Sequence, residues 1–151
     1  MDAKEITQGL MSTDRDNVVR ASWEIIHSND PHVLQVVSDQ LPAISGSVKT
    51  LSPNSEPALR DYRFAPALAV EILTCFNPFD GRRCSLYPAS NSVGPEEEEH
   101  LGFTEITKEE DHLEACTIEY HCICTHCENR YEVMLHESCH YPLWYWEKLP
   151  V

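Results

Sequence analysis

Glycine is scarce, five in 151 residues, and no G-x-x-x-x-G-K-[ST] loop is present to cradle a phosphate. The serine-hydrolase elbow G-x-S-x-G is missing, as is the deaminase pattern of H-x-E followed by P-C-x-x-C. Basic side chains are also few: 11 against 25 acidic ones, a formal net charge of −14. Such a surface repels phosphate backbones and anionic lipid, which argues against nucleic acid or a membrane surface as the partner. No run approaches the roughly 18 apolar residues that span a bilayer. The first ten residues carry Asp2, Lys4 and Glu5 and lack the apolar centre of a secretory signal. A cytoplasmic protein is therefore expected.

What is present is ordinary in bulk. Apolar residues make up 42% and charged residues 24%, near the averages for globular domains. A chain of ~150 residues buries enough surface to fold without disulfides. The charge is uneven: Met1–Cys75 holds ten acids against six bases, and Phe76–Val151 fifteen against five. A basic protein is the partner such a chain attracts, although acidity alone also serves solubility. The carboxylates expected to meet that partner are Glu96, Glu97, Glu98, Glu99, Glu109, Glu110 and Asp111.

The first half reads as helix. Asp2–Met11 is a short candidate, and Thr13 or Asp14 can cap the next. There Val18, Val19, Ser22, Ile25 and Ile26 recur at helical spacing. Asp30-Pro31 starts a third helix with the stripe Val33, Leu34, Val37 and Leu41, which Pro42 is expected to end. These two segments, Asp16–Trp23 and the stretch from Asn29 onward, resemble one HEAT-type helical repeat. Pro53–Leu59 can begin another turn. Ala65–Phe76 is a stronger helix, with Leu68, Ala69, Ile72, Leu73 and Phe76 on its core side.

Beyond Asn77-Pro78-Phe79-Asp80-Gly81 the pattern changes. Arg82–Tyr87 reads as a short strand, and Pro88–His100, with Glu96 to Glu99, as an exposed loop. Cys116–Ile123 and Arg130–Leu135 alternate like two strands of a hairpin, and aromatic Tyr141–Leu149 reads as a final strand. The expected fold class is α+β: HEAT-like helical hairpins in a part spanning 1–76, packed on a small antiparallel sheet in a cysteine-rich part spanning 77–151. The two parts are expected to form one compact unit, with a zinc knuckle in the second.

The seven cysteines are read for a reducing compartment, where metal ligands or buried thiols outnumber disulfides. Cys122, Cys124 and Cys127 form C-x-C-x-x-C at the hairpin tip. Two thiolates on a tight turn can share a tetrahedral ion, most commonly zinc. A structural site needs four ligands, and Cys84 is the first choice to complete Cys122, Cys124 and Cys127. Cys139, His126, His136 and His140 are its rivals. The opposing reading is a set of free thiols packed as small hydrophobes. A redox role fits less well, because reactive C-x-x-C pairs open a helix and this one lies between strands.

His136-Glu137-Ser138-Cys139-His140 spells H-E-x-x-H, whose zinc-protease chemistry needs both histidines on one helical face. Strand-like sequence before it and Pro142 after it oppose that helix. A metal hydrolase using His136, Glu137 and His140 is thus a remote alternative. In the last strand Trp144 and Trp146 should share one face and Tyr145 the other, one side being core.

The run from Tyr120 to Val133, with its C-I-C-T-H-C centre, and then His140-Tyr141-Pro142-Leu143-Trp144-Tyr145-Trp146, resembles small bacterial immunity proteins. These are encoded beside polymorphic toxins, including contact-dependent growth inhibition systems. The resemblance implies a non-enzymatic protein that binds and neutralises a toxin domain in the cytosol, often a basic nuclease, through an acidic surface. It assigns no individual residue. The alternative function is a zinc-stabilised structural or adaptor module with another protein partner.

Overall fold

The computed structural model describes residues 1–50, 60–77, 79, 83–137 and 142–150, with the backbone alone described at 60–63, 113 and 137. It is an α+β protein, helices first and a four-stranded antiparallel sheet last. The chain divides into two compact units, Met1–Gly81 and Arg82–Val151. Among the described residues no helix is long and apolar enough to cross a membrane.

The first unit holds α1 (Ala3–Leu10), α2 (Arg15–Ile26), α3 (Pro31–Ser38), α4 (Leu41–Thr50) and α5 (Arg60–Cys75). Local chemistry sets the first three starts. Asp2 makes a reciprocal capping box with Glu5. The Asp14 carboxylate accepts from the Asp16 backbone. Asp30 caps α3 with Pro31 at its first position. The apolar stripes bury Val18, Ile25, Ile26, Leu34, Val37, Leu68, Ala69, Ile72 and Leu73. α2 packs on α1 and α5, and α3 packs on the same two helices. Pro42 does not end a helix as expected. It lies in the first turn of α4, where a missing N–H leaves no hydrogen bond unmade. Pro53–Leu59 lies outside the described residues.

In the second unit, Arg82–Tyr87 is no strand where it is described. Cys84–Ala89 is a 3-10 helix, opened by Leu86 N–H donating to the Arg83 carbonyl at 2.9 Å. The expected loop contains α6 (Pro95–His100), with Pro95 in its first turn. The sheet follows in the order β1 (Thr104–His112), β2 (Thr117–Cys124), β3 (Arg130–Glu137), β4 (Pro142–Lys148). β1 has no counterpart in the sequence reading. It is a charged edge strand, exposed from Thr107 onward, and only its pairing with β2 makes it a strand.

Alternation divides the sheet into two faces. Tyr120, Cys122, Cys124, Tyr131, Val133, Leu135 and Trp146 are buried on one. The other carries Glu119, His121, Glu132, Met134, His136 and Tyr145, of which Tyr145 is 48% exposed. The tryptophans thus share the core face, as expected. Trp146 stacks on Tyr87 with ring centroids 4.1 Å apart, and its indole N–H donates to the Val93 carbonyl at 2.8 Å.

Candidate metal centre

Three of the four expected ligands converge. Sulfur atoms of Cys84, Cys124 and Cys127 lie within 4.8 Å of one another, and Cys84 Sγ and Cys127 Sγ are 3.6 Å apart. Sulfurs on one tetrahedral zinc, at Zn–S ~2.3 Å, are separated by ~3.8 Å, so this spacing suits a shared ion. It is far beyond the ~2.05 Å of a disulfide. Cys122 is not in the group. It lies two residues before Cys124 on the same face of β2, roughly 7 Å along the strand, and is buried at 1% exposure. The rise of the strand, ~3.3 Å per residue, therefore separates two cysteines that look equivalent in the C-x-C spacing.

The hairpin tip is held by its backbone. Cys124 N–H donates to the Asn129 carbonyl at 2.9 Å, and Glu128 N–H to the Cys124 carbonyl at 3.0 Å. Glu128 takes a left-handed conformation, φ 58°, which closes the turn. Thr125 anchors the tip: its N–H reaches the Phe103 carbonyl at 3.1 Å, and its hydroxyl the Gly102 carbonyl at 2.8 Å. Gly102 itself sits at φ 83°, where a side chain would be strained.

Cys84 comes to the tip from the 3-10 helix, and its neighbour Arg83 is fully buried. The Arg83 guanidinium bonds the Glu98 carboxylate of α6 and lies over the Phe103 ring, 4.2 Å from its centroid. The Tyr87 hydroxyl donates to the same carboxylate at 2.8 Å. Glu98 is expected among the partner-facing acids, but it is 1% exposed. A single turn of helix starting at Pro95 rotates it inward, while Glu96, Glu97 and Glu99 stay exposed. Charge in a run of four identical residues gives no sign of which one turns inward, so this network was invisible in the sequence.

Burial acts first on the thiols. It pushes Cys84 up to about 12, with Cys124 and Cys127 adding to the effect. Cys124 is raised by burial as well. Without a cation these groups stay protonated, and an ion that binds them must displace protons. Cys122 is also pushed up to about 12, by burial and then by the Glu99 carboxylate.

Of the rival ligands, the described His126 and His136 are not in this group. His126 Nδ1 is 3.1 Å from the Thr125 hydroxyl, and its ring stacks on Phe103. His136 is on a strand and meets Tyr145 edge-on at 5.1 Å, so the half of H-E-x-x-H that is described is not helical. Cys139 and His140 lie outside the described residues. Of the acids expected to meet a partner, Glu109, Glu110 and Asp111 are exposed along β1, and Glu96 accepts from the Tyr120 hydroxyl at 3.1 Å. No family model, curated protein or solved structure matches this chain.

Proposed function

We propose that this chain is a non-catalytic, cytoplasmic protein-binding protein whose C-terminal unit is tied together by one zinc ion on Cys84, Cys124 and Cys127, with no fourth protein ligand among the described residues. The convergence of three sulfurs, two from a hairpin tip and one 43 residues before Cys127, carries the reading. A soft, tetrahedral ion is the natural occupant of a thiolate set. Such an ion cross-links the 3-10 helix to the hairpin, so its binding energy becomes folding energy. The exposed Glu109, Glu110 and Asp111 on β1 support a basic protein as partner. A toxin domain, implied by the resemblance to immunity proteins, is one such partner. A hydrolase on His136, Glu137 and His140 is not favoured, because His136 stands on a strand.

Metal analysis of protein purified without added metal tests the centre. The expected content is about one zinc per chain, as for a structural site. Cys127→Ser should fall to near zero and lose the stabilisation that a chelator removes from the wild type. A wild-type chain free of zinc, with all its thiols titrating in mild denaturant, would overturn the reading.

A further inference from the structure

The face of the sheet opposite the core carries a second set of metal-ligating groups. On β2, Glu119 and His121 point the same way, two residues apart. Glu132 of β3 stands directly opposite His121 in the register. Ligand atoms of the three lie within 4.8 Å of one another. His121 Nε2 is 2.7 Å from Glu119 Oε1, and the side chains are 30% and 19% exposed. On the far side of the same carboxylate, His112 Nε2 of β1 is 3.1 Å from Glu119 Oε2.

We propose that Glu119, His121 and Glu132 form a second, exchangeable site for a borderline divalent ion of the zinc class. The donor set, one imidazole and two carboxylates, is chemically distinct from the thiolate group and prefers such ions to soft or purely oxygen-seeking ones. The antiparallel register fixes all three Cα positions, so binding needs only side-chain adjustment. Zinc distances of ~2.0–2.2 Å place neighbouring ligand atoms roughly 3.3 Å apart, a small opening of the His121–Glu119 hydrogen bond. The ion takes the place of the proton on Nε2. His112 stays on the other carboxylate oxygen and orients it, as outer hydrogen-bond partners orient metal ligands elsewhere. Glu110, which also approaches His112 and Glu119, is engaged by Lys108 Nζ at 2.8 Å, which favours the His121 side of Glu119. Three protein ligands leave the remaining positions to water, so exchange is fast.

The test uses the full chain as purified, with zinc chloride as the probe. Calorimetry counts the added equivalents, and long-range imidazole nitrogen NMR reports which histidine is ligated. One weak further equivalent is expected, with the resonance shift on His121 Nε2. His121→Ala and Glu132→Gln should each abolish it, and His112→Ala should weaken it ~10-fold. Cys127→Ser should leave it intact, so failure of the thiolate centre and failure of this site are told apart. No further equivalent, a shift at His112 with none at His121, or an equivalent that survives in a folded His121→Ala and Glu132→Gln would each overturn the proposal.

Discussion

Glu98 shows how much one side chain can carry. Its carboxylate accepts from both Arg83 and Tyr87, and both ionic partners are 1% exposed. A buried pair gains little over a matched apolar pair, but a lone buried charge is expensive. Glu98→Ala should therefore destabilise the chain by about 3–5 kcal/mol in denaturant unfolding. The double variant Arg83→Met, Glu98→Leu should recover part of that loss, Tyr87 being left without its acceptor, and a single variant near wild-type stability would show that the pair does not support the fold. Tyr120 offers a pH readout. Its phenol is pushed up to about 12 by burial, then by the Glu96 carboxylate. A folded value raised above the unfolded one gives stability that is complete below the ordinary value of 10.0 and lost as pH rises toward about 12. Replacing Glu96 with Gln should move the phenolate absorbance midpoint of Tyr120 down toward its ordinary value. An unchanged midpoint would assign the whole shift to burial.

Among elements, α1 and α2 approach closely at Gly9. A Cβ added at Gly9 would sit 2.7 Å from the Ala21 Cβ, so glycine is what lets the two helices meet. Alanine favours a helix over glycine by ~1 kcal/mol, yet overpacking typically costs ~1–3 kcal/mol. Gly9→Ala should thus lower the thermal midpoint, and Ala21→Gly in the same chain should restore part of it. A rise on the single substitution would mean that the helices separate without penalty. The sheet shows a different dependence on context. β1 is rich in charge and poor in apolar residues, yet it pairs along nearly its whole length with β2. A register shift between Ile106 and Lys108 leaves Thr107 to donate its hydroxyl to the His121 carbonyl at 3.1 Å. Charged edges discourage pairing with other chains, which suits β1 to its place at the end of the sheet.

For the whole molecule, a net charge of −14 predicts long-range attraction to a basic partner. Exposed charges are screened beyond ~8 Å at physiological salt, and complementarity acts mostly on association. With a partner recovered by affinity capture, the association rate should fall steeply between low and moderate salt while dissociation changes less. Neutralising Glu109, Glu110 and Asp111 together should flatten that slope. A salt-independent rate, or an acidic partner, would leave the charge with solubility alone. The amino-acid order was enough to reveal α2, α3 and α5, because caps such as Asp14 and Asp30 and stripes such as Leu68, Ala69 and Ile72 are local signals of period 3.6. The β2–β3 hairpin and the shared face of Trp144 and Trp146 followed from period two. Cys84 is the ligand expected to complete the hairpin-tip cysteines, and its sulfur lies within 4.8 Å of those of Cys124 and Cys127. Tertiary structure alone decided the inward turn of Glu98 and the strand at β1. Each depends on a partner remote in sequence: Arg83 and Tyr87 across α6, and the whole edge of β2. Local periodicity reports which side of an element is apolar, whereas a polar group is buried or exposed according to what another segment brings to it.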